Sequence, residues 1–173
     1  MSGRASSRRP AIGSSRFAAT PVRSSVRAVV APQPVLDALA SGTRYWFSDW
    51  PNLAVPRASG VYTIWDGETL LYVGLARTNG GLASLLRSHA SGRRSRDQFC
   101  IYVADRLVLP MLTRAEIRAI AAGELSFDAL VRDYIHERLW YRFAEIAEVG
   151  NCYAVESEIR RGGLAAGAPL LNP

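Results

Sequence analysis

Lysine is absent from this chain of 173 residues, so all 21 basic residues are arginine. Cysteine is scarce: Cys100 and Cys152 stand far apart, with neither CxxC nor zinc-ligand spacing. That argues against a disulfide framework or a zinc site and suits reduced thiols of a cytoplasmic protein. No apolar run approaches the ~18–20 residues needed to cross a bilayer, so no membrane partner is expected. No internal repeat is visible. Acids are missing from residues 1–31, which hold Arg4, Arg8, Arg9, Arg16, Arg23 and Arg27.

The formal net charge of +6 therefore sits in that first stretch, because residues 32–173 balance 15 arginines against 15 acids. Within this neutral body the signs separate. Residues 69–103 carry Arg77, Arg87, Arg93, Arg94 and Arg96 against Asp97, while residues 104–158 are acidic. A locally basic surface on a neutral protein attracts phosphates without showing in the overall charge.

Residues 1–31 are rich in Arg, Ser, Ala and Pro with a single aromatic, Phe17, and bury little, so disorder is expected. Such a stretch reads as a solvated phosphate-attracting tail, as a product of a start codon assigned too far upstream, or as a transit peptide. Residues 32–56 follow as a segment packing on the core. They contain a short helix over Pro34–Ala40 and the aromatic residues Tyr45, Trp46, Phe47 and Trp50, expected to cap one end of the core. Two β-rich runs, residues 60–65 and 69–74, flank Asp66-Gly67 and predict a hairpin. A helix is expected over Leu82–Ala90, a strand over Gln98–Val103, and a capping box at Thr113 and Glu116. Phe127–Arg138 has helical periodicity, Leu139–Ile146 reads as a strand, and Asn151 is expected to cap a last helix through Arg161. The sum is an α+β domain over residues 57–173: a small, mainly antiparallel sheet opened by a β-hairpin and flanked by helices.

The hairpin carries Gly60-Val61-Tyr62 and, after nine intervening residues, Tyr72-Val73-Gly74. Downstream come Arg87 and His89, then Glu156, then Pro169-Leu170-Leu171-Asn172. In this order the motifs resemble those of the GIY-YIG nuclease superfamily, across roughly residues 57–172. The stretch near 105–138 then looks like a helical insertion. The resemblance implies an endonuclease that hydrolyses DNA phosphodiester bonds with Mg²⁺ or Mn²⁺, or a catalytically weakened nucleic-acid-binding relative of one. Nothing in the residues separates DNA from RNA.

Phosphodiester cleavage requires a deprotonated water, stabilisation of a phosphorane and help for the leaving oxygen, and a divalent ion supplies much of the last two. Mg²⁺ is satisfied by one or two carboxylates. The resemblance makes Glu156 the metal ligand, preferred over Glu158 because Ile159 follows it by three. It makes Tyr62 the general base or proton relay and Tyr72 its partner or a phosphate ligand, with Arg87 and His89 as further catalytic residues. A phenol titrates near ~10, so either tyrosine acts as a base at neutral pH only beside a cation or metal. Packing is the competing role for both. Arg77, Arg93, Arg94, Arg96 and Asn172 are candidate nucleic-acid contacts. One position departs from the family: four residues before His89, where an arginine is usual, stands Leu85. Arg87 lies only two before, about 200° round a regular helix from His89. Either the helix is shifted or irregular, or another arginine such as Arg77 serves the phosphate, or this member has lost efficient catalysis.

Overall fold

In the computed structural model, which describes residues 31–77 and 80–172, the expected hairpin is present. Strand β2 (Gly60–Asp66) turns through Gly67 and Glu68 into β3 (Thr69–Ala76), pairing antiparallel from Asp66 opposite Thr69 to Gly60 opposite Ala76. Gly67 takes the left-handed conformation (φ 56°) that a two-residue turn demands. Tyr62 falls directly opposite Gly74, so the two tripeptides face each other across the ladder. The expected tail lies outside the described residues, Ala31 excepted.

Four strands form one antiparallel sheet in the order β1-β4-β2-β3, with β1 at Tyr45–Trp46 and β4 at Leu139–Glu145. The aromatic segment therefore contributes an edge strand, and Phe47 just beyond it is fully buried. Strand β2 is buried on both faces because helices cover both. Tyr62 and Ile64 point into one core with residues of α2 (Gly81–Ala90), α3 (Gln98–Val103) and α5 (Phe127–Arg138). Val61 and Trp65 point into the other, formed with α1 (Gln33–Ser41) and α6 (Val149–Arg160). Alternate burial along a strand follows from its two-residue period.

Two expectations are corrected. Gln98–Val103 is helical. Asp97 caps it by accepting from the Cys100 amide, and Phe99, Cys100, Val103 and Ala104 recur on one buried face. A short apolar run fits a buried helix as well as a strand, and here β4 takes the place beside β2. The last helix begins after Glu148, whose side chain makes no capping bond, so Asn151 lies inside α6. The capping box is present as expected: the Glu116 amide donates to the Thr113 hydroxyl and the Thr113 amide to the Glu116 carboxylate, opening α4 (Arg114–Ala121). With α5, this makes most of residues 105–138 helical.

Strand β3 is an edge, and the C-terminal segment covers it. Amides of Leu170 and Leu171 donate to the carbonyls of Leu70 and Leu71, and Leu171 fills the core. The Asn172 side chain accepts from the Val73 amide at 3.1 Å and donates to the Val73 carbonyl at 2.7 Å. An edge strand with free backbone groups invites misassociation; here the amide side chain continues the ladder.

Candidate active site

The first helix after the hairpin sets the geometry. Helix α2 buries Leu82, Leu86, His89 and Ala90 on one face, so His89 is carried down onto the sheet beside Tyr62. The Tyr62 hydroxyl and His89 Nε2 lie 2.7 Å apart, and His89 Nδ1 and the Asp97 carboxylate are also 2.7 Å apart. The carboxylate of Asp97 can only accept, so Nδ1 carries a proton, and in the neutral imidazole Nε2 then accepts from the Tyr62 hydroxyl. Cys100 closes the group from below, its thiol donating to the His89 carbonyl. Asp97, His89 and Tyr62 are almost wholly buried and form one directed chain of hydrogen bonds.

That chain ends at a cavity of about 380 Å³ whose walls include Tyr62, Tyr72, Arg77, Leu85, Arg96 and Glu156. The rings of Tyr62 and Tyr72 stack at 6.3 Å. Glu156 reaches in from α6, its side chain 18% exposed and 3.2 Å from Arg160. Tyr153, one turn earlier on α6, stands 45% exposed beneath the Arg77 guanidinium. A groove of about 1000 Å³ adjoins the cavity, sharing Tyr153 and Glu156 and bringing Arg160 and Arg161 to its wall.

Burial holds the Tyr62 phenol well above its ordinary titration range, and the nearby Tyr72, Asp97 and Glu156 push the same way. Tyr72 is raised to about 12, by burial first and then by Asp97, against the opposing pull of Arg160. Burial pushes Asp97 upward, but the hydrogen bond of His89 and its charge when protonated, with donors from Ser88 and the Cys100 amide, outweigh it and hold the carboxyl low. Burial, then Asp97, raises the Cys100 thiol, which makes it a poor nucleophile.

The structure gathers Tyr62, Tyr72, His89, Glu156, Arg77 and Arg96 around one cleft. Other candidates fall outside it. Arg87 points to solvent on the far side of α2, as the helical angle requires, and Leu85 lines the cleft in its stead. Arg93 is exposed away from the cleft, and Arg94 is engaged by Asp128 at 2.6 Å and by the Phe127 ring. Asn172 is buried in its backbone clamp and offers no surface for nucleic acid. Glu158 pairs with Arg161 outside the cleft. His136 bonds the Ala90 carbonyl, a structural contact.

Sequence reasoning missed Asp97 and Tyr153. An acid just before an apolar run is a helix-cap signal, but reading that run as a strand hid it. Tyr153 carries no local signal.

His89, Asp97 and Cys100 bring ligand-type atoms within 4.8 Å of one another. Both imidazole nitrogens and the thiol already have partners there, and all three residues are buried. Glu156, by contrast, is part-exposed at the cleft and, among the described residues, held by the surface residue Arg160 alone, which suits an ion that retains most of its waters. Compared with known protein families, curated proteins and solved structures, the chain matches none of them.

Proposed function

We propose that this chain is a metal-dependent endonuclease of the GIY-YIG type, hydrolysing DNA phosphodiester bonds. The observation that carries the reading is the Asp97–His89–Tyr62 hydrogen-bonded chain opening on a cleft with a second phenol, a part-exposed carboxylate and two arginines. A buried phenol of raised pKa is a weak base by itself, and the relay removes that obstacle. As a water gives a proton to the Tyr62 oxygen, the Tyr62 proton passes to His89 Nε2. The imidazolium so formed lies against the Asp97 carboxylate, so no free phenolate is needed. The hydroxide attacks phosphorus as the P–O bond to the leaving sugar oxygen breaks, and that oxygen takes its proton from solvent; Arg77 and Arg96, on the cleft wall, would meet the phosphate oxygens. Glu156 would hold Mg²⁺ or Mn²⁺, exchanging its bond to Arg160 for the ion. Once bound, the ion supplies charge stabilisation to the phosphorane and leaving oxygen.

Incubation with supercoiled plasmid and Mg²⁺ or Mn²⁺ tests this. Nicking by the wild type, lost in Glu156→Gln with an unchanged circular dichroism spectrum, is the expected result. Absence of nicking in either metal overturns it. A second reading, a phosphate-binding module that cuts poorly, draws support from Leu85 on the cleft wall. It predicts salt-sensitive DNA binding without nicking.

A further inference from the structure

Arg142 on β4 is only 5% exposed. Its guanidinium lies 4.6 Å from the Trp140 ring and 5.3 Å from the Trp65 ring, and these two indoles stack in parallel at 5.2 Å. Its Nε donates to the Gly42 carbonyl at 2.9 Å. Among the described residues no carboxylate pairs with it, and its two terminal amino groups have no hydrogen-bond partner. Yet no fully buried side-chain nitrogen or oxygen there is left unpartnered, so these amino groups open onto the cavity that Arg142 lines.

That cavity, of about 610 Å³, shares no lining residue with the catalytic cleft. Arg44 lines it too, its guanidinium 4.6 Å from Trp140. Burial, then the neighbouring charge of Arg44, pulls Arg142 below the usual guanidinium range, against the opposing charge of Glu68. Among the described residues Glu68 is the one carboxylate on the wall. It is bound to Arg44 at 3.0 Å, with its side chain 82% exposed. A buried cation without a directly paired carboxylate is costly, and the indole faces and the more distant Glu68 offset only part of that. Two guanidiniums with free donors lining one open cavity suit the chemistry of a phosphate group.

We propose that Arg142 and Arg44 form a binding site for a phosphate-class oxyanion, apart from the catalytic cleft, with Glu68 as the side chain that the anion displaces from Arg44. The site does not depend on the nuclease reading. The cleft wall contains no tryptophan, whereas this site is built on two, so tryptophan emission reports it.

The test titrates the full chain in chloride buffer with inorganic phosphate, following tryptophan emission and heat. Saturable binding is expected. Arg44→Gln should weaken it about tenfold, the loss of a charge-assisted hydrogen bond. Glu68→Gln should tighten it several-fold by removing the competitor. Arg142→Gln should abolish it, and because that variant also disturbs the core, the exposed positions Arg44 and Glu68 decide the outcome. Phosphate acting no differently from chloride, or an affinity unmoved by Arg44→Gln and Glu68→Gln, overturns the proposal. A parallel titration with oligothymidylate separates the sources. If Arg44→Gln weakens it equally, the natural ligand is a nucleic-acid backbone; if only phosphate weakens, it is a free phosphate or mononucleotide.

Discussion

The Tyr62 phenol lies across β3 directly over Gly74, in the space where any side chain at that position would begin. The glycine of the second tripeptide thus makes room for the tyrosine of the first. Gly74→Ala should push the phenol off His89. Overpacking of this kind costs about 1–3 kcal/mol, and misplacement of a reacting group by about an ångström costs on the order of 10²-fold in rate. Thermal unfolding and plasmid nicking measured together check this; a variant with wild-type values in both would refute the placement.

Asp97, His89 and Tyr62 should act as a unit. Tyr62→Phe and Asp97→Asn should each lower nicking by about 10²–10⁴-fold, and the double variant should be hardly worse than either, since the relay is already broken. Independent, multiplying losses in single-turnover rates would show that no relay operates.

Asp97 also ties stability to pH. Its carboxyl is held below the usual range, so its contribution is complete above the unfolded value of ~3.9. That contribution is lost as pH falls through the lower folded value. Denaturant midpoints between pH 6 and pH 2 should fall in the wild type and stay flatter in Asp97→Asn. Parallel curves for the two proteins would contradict it.

The phenols give the opposite limb. With Tyr72 raised to about 12, the folded state favours the neutral form, and that stability fades as pH rises from ~10 through the folded value. Absorbance at 295 nm should lose a late alkaline step in Tyr72→Phe. In Glu156→Gln ionisation should begin earlier, because the carboxylate no longer opposes a phenolate. An onset identical to wild type would mean that Glu156 does not face these rings.

Leu85 occupies the cleft wall that Arg87 fails to reach. Leu85→Arg should deliver a guanidinium to the phosphate and raise nicking at least about tenfold, in line with the ~3 kcal/mol worth of a charge stabiliser. No gain, with DNA binding retained, would mean that Arg77 and Arg96 already meet that need.

Much of this architecture is legible in local patterns. β-rich runs on either side of Asp66-Gly67 specify the hairpin, Thr113 and Glu116 cap their helix, and Phe127–Arg138 follows a helical period. The tyrosines and the glycine that seats one of them are likewise present in the motif pair. Gln98–Val103 shows where this fails: six apolar-rich residues have no decisive period, and neighbours in space chose the helix.

By itself, then, the order of residues determined whatever depends on contacts within a few positions: turn, cap, β-rich run and the angular offset that turns Arg87 away from His89. Tertiary structure alone decided the rest. It set Asp97 against His89, turned Asn172 into a clamp on β3, and drove Arg142 between indoles and a cavity. Asn172 meets Val73 across 99 positions of chain and Arg142 meets Gly42 across 100, and no local spacing encodes such a pairing. Those partners are selected only when burial forces each polar group to find whatever donor or acceptor the packed sheet and helices place beside it.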